Sequence, residues 1–193
     1  MNHLFKFSGY ILFFLWNVCT ISYAQTGFGE ATKINQDWYF KLDDIKEGKD
    51  LKKMDRSFRK IDLPHDWSAK ETLNPSLASA TGFLPGGIGW YYKTIAIPKE
   101  DEGKKIFVYF EGVYNKSEVF INGKSLGYRP NGYISFMYDL TDDLQYGEEN
   151  IIAVRVDHSE SADSRWYTGS GIYRDVFLVK SEPTHIDLWG VYC

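Results

Sequence analysis

From residue 30 onward, apolar and polar side chains alternate with a period of two in short runs, and Gly, Pro, Asn and Asp punctuate the gaps between them. This pattern predicts antiparallel strands over Trp38–Leu42, Phe58–Leu63, Gly89–Ile97, Lys105–Glu111, Ser117–Ile121, Lys124–Tyr128, Tyr133–Asp139, Asn150–Asp157 and Tyr173–Lys180. No long helical periodicity interrupts them, and Asp142-Asp143-Leu144 reads as one short helical turn ahead of the polar link 146–150. Between Ile121 and Lys124, Asn122-Gly123 supplies two residues that tolerate positive φ, the signature of a type I′ hairpin turn. Ile106 to Phe110 is apolar at every position, as a strand covered on both faces requires, whereas Ile152, Val154 and Val156 alternate with Ala153, Arg155 and Asp157. Two antiparallel sheets packed over one core follow, which makes the fold class all-β, a β-sandwich.

The two ends depart from this pattern. Lys6 is the first formally charged side chain and Glu30 the next, with a mostly apolar stretch between them. Lys6, the apolar run 11–16 and Ser22-Tyr23-Ala24 have the order of a signal peptide, so residues 1–24 are expected to be a cleaved leader and the chain to be exported, periplasmic or extracellular. A membrane span would need about 20 apolar residues, and Asn17, Thr20 and Ser22 break the run before that. Trp16-Asn17-Val18 ahead of Cys19 is a poor match to a lipoprotein processing site. At the other end, Glu182-Pro183 marks a boundary. Thr184 to Tyr192 alternates like one further strand, so 25–182 is assigned to the sandwich and 183–193 to the start of a second, truncated domain.

Composition narrows the function. Twenty-two Lys and Arg against 26 Asp and Glu give a net charge of -4, with no basic footprint for a nucleic-acid partner. Cys19 and Cys193 are the two cysteines, and removal of the leader leaves no internal disulfide, so stability rests on packing. His65, His158 and His185 lie far apart without metal-ligand spacing and read as structural histidines. Thr168-Gly169-Ser170-Gly171 has the wrong spacing for a nucleophile elbow, and Pro85 to Gly89 precedes a strand, unlike a phosphate loop. Glycoside hydrolysis needs two carboxyl groups about 5 Å or more apart, and nothing in the spacing of Glu111, Glu118, Asp157, Glu160 and Asp163 selects a pair. No catalytic residue, metal ligand or cofactor site is assigned.

Three segments carry candidate chemistry. Leu63-Pro64-His65-Asp66-Trp67 sets a ring and an acidic group beside a loop, with His65 and Asp66 directed to opposite faces. Gly82 to Lys93 joins a glycine-rich loop to an aromatic strand, readable either as a tight loop feeding the core or as a ligand-facing loop. Residues 158–175 form a long polar and aromatic loop in which Trp166 and Tyr167 offer rings, and Asp163 and Arg165 offer an acceptor and donors for hydroxyl groups. Arg174 and Asp175 read as a charge pair at the entry of the next strand.

The strings LPHDW at 63–67, PGGIGWYYKT at 85–94, FEGVYNKSEVFINGKSLG at 110–127 and RWYTGSGIYRDV at 165–176, in this order, resemble the N-terminal sugar-binding domain of family 2 glycoside hydrolases, especially bacterial β-galactosidases. The resemblance implies a jelly-roll sandwich of the galactose-binding-domain-like kind. An immunoglobulin-like domain would follow, whose first strand would be Thr184 to Tyr192, and then a barrel carrying two catalytic glutamates outside this chain. It further implies that loops of this domain help to form the sugar pocket, and by position Asp163, Arg165, Trp166 and Tyr167 are the substrate-binding candidates. Arg165 stands where the best-known enterobacterial relative has a sodium- and sugar-contacting aspartate, which argues against a sodium site. The implied partners are a β-galactoside or related glycan and the downstream catalytic barrel. A free-standing carbohydrate-binding module, a piece of a β-glucuronidase or β-mannosidase, and a relic with a structural role are the competing readings.

Overall fold

The computed structural model describes residues 29–45, 57–160 and 164–191. Ten strands appear among them: β1 Glu30–Lys33, β2 Trp38–Leu42, β3 Arg59–Ile61, β4 Gly87–Ala96, β5 Lys105–Phe110, β6 Ser117–Ile121, β7 Lys124–Arg129, β8 Phe136–Asp139, β9 Glu149–His158 and β10 Val176–Ser181. They pair antiparallel in two sheets, of order β1-β10-β5-β8 and β3-β2-β4-β9-β6-β7, the all-β jelly-roll sandwich expected from the sequence. The expected leader, residues 1–24, lies outside the described residues.

Alternation explains the packing. Trp38, Phe40, Tyr91, Val119, Ile121, Ile152, Val154 and Val156 from the larger sheet meet Ile106, Val108, Phe110, Phe136, Val176 and Leu178 from the smaller one in a single core. Strand β5 is central, and its intervening Phe107 packs outward with Ala31, Phe177 and Val179, so both of its faces are covered, as its unbroken apolar run predicts. Asn122 and Gly123 take φ of 48° and 86° in the β6–β7 hairpin, and the one helical turn expected before the polar link is a 3-10 turn over Thr141–Asp143.

Four expectations need correction. Strand β1 is an addition to the predicted set: Ala31 is its one buried side chain, and its strand character comes from pairing along β10. Tyr133 to Ser135 is turn, not strand, because the Asn131 side chain accepts the N–H groups of Tyr133 and Ile134. Arg174 and Asp175 do not pair; Asp175 accepts from Lys33 and Asn35 while Arg174 lies over the Tyr173 ring, so each is engaged by another partner. Among the described residues Thr184 to Val191 is not strand; it turns at Asp187–Gly190 and lays Leu188 against the outer face of the smaller sheet.

Candidate functional site

Three loops meet at one end of the sandwich: 62–68 after β3, 82–86 before β4, and 159–175 between β9 and β10. The last is anchored like an extra strand. His65 N–H donates to Ile172 at 2.8 Å and Trp67 N–H to Ser170 at 3.1 Å, while on the opposite side Tyr114 and Gly171 exchange two backbone bonds of 2.9 and 2.8 Å. Gly171, at φ 120°, is required there, because a Cβ would sit 2.1 Å from the Tyr91 hydroxyl.

Side chains lock this base. Asp66 Oδ1 accepts the N–H of Ser68 at 3.0 Å and of Ser170 at 2.9 Å, and its Oδ2 accepts the Tyr167 hydroxyl. Burial and the adjacent Asp66 carboxylate push the Tyr167 phenol up from its ordinary value, so it remains a neutral donor. Behind this clamp, Ser68 Oγ donates to the Pro85 carbonyl at 2.7 Å, and Ser68 and Ser170 hydroxyls lie 2.6 Å apart. Each hydroxyl has one proton, so with Ser68 committed to Pro85, Ser170 donates to Ser68 and must itself accept from His158 Nδ1 at 2.6 Å. The chain of bonds thus assigns His158 the Nδ1–H form.

Of the two readings of the glycine-rich loop, the structure favours the tight one. A Cβ at Gly86 would lie 2.0 Å from the His158 carbonyl oxygen, and the Trp67 indole N–H reaches the Gly86 carbonyl at 3.4 Å. Trp67 itself is fully buried and stacks on Phe40 at 5.5 Å, so it belongs to the core and not to a binding surface. His65 is buried beside it, with Nδ1 2.9 Å from the Tyr91 hydroxyl, and desolvation followed by the charges of Lys70 and Arg59 lowers its pKa to about 4. Burial likewise drives the Tyr91 phenol far above its usual range.

Outside this locked base, Trp166 is 62% exposed and Tyr167 43%, and the Trp166 indole N–H donates to the Tyr133 hydroxyl at 3.3 Å. Ser164 Oγ accepts Trp166 N–H at 3.1 Å and donates to its carbonyl, shaping the turn that carries exposed Arg165. The structure therefore brings Arg165, Trp166 and Tyr167 together at the rim, while Asp163 lies outside the described residues. Asp66, the residue that organises the loop, stands out in the sequence only as an acidic group near it. An apolar ring with adjoining hydroxyl and guanidinium donors suits a hydroxyl-rich ligand. Three described carboxylates nearby are committed elsewhere: Asp66 as above, Asp157 to Ser159 and Arg155, and Glu160 to Lys116 at 2.5 Å. Among the described residues no group of three or more His, Cys, Asp and Glu is placed to hold a metal ion.

Comparison with known proteins agrees with the fold. Residues 31–182 match the family model described as glycosyl hydrolases family 2, sugar binding domain. The chain is 50% identical over 165 residues to the β-galactosidase BoGH2A of Bacteroides ovatus, covering 84% of this chain and 19% of that protein. It is 41% identical over 170 residues to a putative β-glucuronidase of Formosa agariphila, covering 87% and 16%. A crystal structure of a β-glycosidase from Bacteroides vulgatus superposes with a TM-score of 0.76 at 50% identity, over 80% of this chain and 20% of that one. The chain spans about a fifth of the length of these relatives. It belongs to glycoside hydrolase family 2, as the sugar-binding domain of that family.

Proposed function

We infer that the chain completes the substrate pocket of an exported family 2 glycosidase acting on O-glycosyl bonds, with a β-galactoside as substrate and the catalytic carboxylates supplied by a barrel domain outside it. The observation that carries this reading is the clamp from Asp66 to Ser170 and Tyr167, which fixes a loop base while leaving Arg165, Trp166 and Tyr167 facing solvent. Asp163, from its place in the sequence, is assigned to the same surface. The 50% identity to a named β-galactosidase supports the galactoside, and the leader-like residues 1–24 support export. β-Glucuronide is the second reading, favoured by the 41% identity to a putative β-glucuronidase and by the cationic Arg165 in the loop.

The test is a chimera in which residues 31–182 replace the matching segment of the Bacteroides ovatus β-galactosidase. Assayed on chromogenic β-galactoside and β-glucuronide, a folded chimera hydrolyses the galactoside and the purified chain alone hydrolyses neither. Turnover by the chain alone, or a folded chimera without activity, overturns the reading.

A further inference from the structure

Beside the candidate loop opens a cleft of about 370 Å³, lined by Tyr109, Glu111, Tyr133, Ile134, Ser135 and Arg174. That volume falls in the range of roughly 300–1,000 Å³ typical of small-molecule sites. The walls are held in place: the Asn131 side chain fixes the backbone of Tyr133 and Ile134, the Tyr173 hydroxyl donates to Gly132 at 2.8 Å, and Glu111 N–H donates to the Asp175 carbonyl at 3.1 Å. The polar ends are not used up by the described residues. The Glu111 carboxylate and the Ser135 hydroxyl make no hydrogen bond or ion pair with any of them, and the Arg174 guanidinium, which lies over the Tyr173 ring at 5.5 Å, makes none either. A fixed cleft therefore presents one anionic acceptor, one cationic donor and one hydroxyl between two tyrosines.

This pairing matches adjacent hydroxyl groups, which need an acceptor and a donor side by side, with tyrosine faces for the apolar side of a sugar ring. Because Glu111 offsets Arg174, the cleft carries no surplus positive charge to select a carboxylated sugar. Tyr133 belongs both to the cleft and, through the Trp166 indole N–H, to the rim of the candidate loop. We propose that this cleft is a second carbohydrate subsite, taking a neutral hexopyranose unit of a glycan next to the unit met by Trp166. The adjacency rests on the reading of the loop given above; the cleft itself does not.

The test is an NMR titration of the 15N-labelled chain with methyl β-galactoside, lactose and glucuronate. Saturable shifts are expected at the amides of Glu111, Ser135 and Arg174 with the neutral sugars, at a Kd of about 1–10 mM. Glu111→Gln and Arg174→Ala should each weaken that binding by about threefold or more with the rest of the spectrum superimposable. Shifts confined to residues 164–170 overturn the subsite and leave the loop reading intact. Shifts confined to the cleft sustain the subsite and remove the loop from sugar contact. A larger response to glucuronate than to the neutral sugars overturns the assignment of ligand class, and no shift at all up to about 100 mM overturns both readings.

Discussion

Asp66 Oδ1 accepts the backbone N–H of Ser170 at 2.9 Å, joining positions 104 residues apart. The same carboxylate takes Ser68 N–H and the Tyr167 hydroxyl, so one side chain ties the segment after β3 to the loop before β10. Asp66→Ala leaves three donors without their acceptor. Hydrogen bonds to a charged group contribute about 1.5–3 kcal/mol each, and water replaces part of that at this half-open site, so a loss of about 2–4 kcal/mol is expected in urea unfolding. Asp66→Asn keeps one acceptor oxygen and loses less.

Two of the three tryptophans in the matching motifs, Trp166 and Trp67, should behave oppositely. Trp166 is largely exposed, and Trp166→Ala is expected to change stability by no more than about 0.5 kcal/mol. Trp67 is wholly buried against Phe40, and Trp67→Ala is expected to cost about 3–5 kcal/mol. Equilibrium denaturation of both variants separates the rim of the loop from its core support.

Sequence alone distinguishes some of these features and not others. The Asn122-Gly123 hairpin is legible because a type I′ turn is decided by two adjacent residues. The exposed rings at 166 and 167 are legible because a long polar loop offers two adjacent aromatics little apolar surface to bury themselves in. The Asp66 clamp is not legible: its partners are two residues and about a hundred residues away, and nothing local marks a carboxylate as an acceptor for a distant backbone. Strand β1 escapes because only the neighbouring β10 gives it a ladder, and 133–135 is overread because an Asn side chain competes with strand pairing there. The motif around Trp67 lies beside the candidate loop, yet its ring points into the core, a distinction that only packing makes.

The Ser68–Ser170 hydroxyl chain predicts that His158 carries its proton on Nδ1. Long-range 15N correlation spectra of the chain at neutral pH read the tautomer directly. Ser68→Ala frees the Ser170 proton to point at His158, and the Nε2–H form is then expected to gain population.

His65 gives the domain an acid sensitivity. Its folded pKa of about 4 lies below the ordinary value of 6.5, so between these the unfolded chain binds more protons than the folded one. The stabilisation is fully present above pH 6.5 and is lost as pH falls towards 4, by about 3 kcal/mol across the window. Urea unfolding from pH 7 to pH 4 should show that slope in the native chain and a flatter one in His65→Gln.

Sugar contact by the rim of the loop is the central claim, and the measurement that tests it most directly is KM for chromogenic β-galactoside in the chimera carrying Trp166→Ala. A rise in KM of about tenfold, equivalent to about 1.4 kcal/mol, with unchanged thermal stability is the predicted result. An unchanged KM in a folded, active chimera would contradict it, because the ring that Tyr133 meets at the rim, beside the Asp66-held Tyr167, would then touch no substrate.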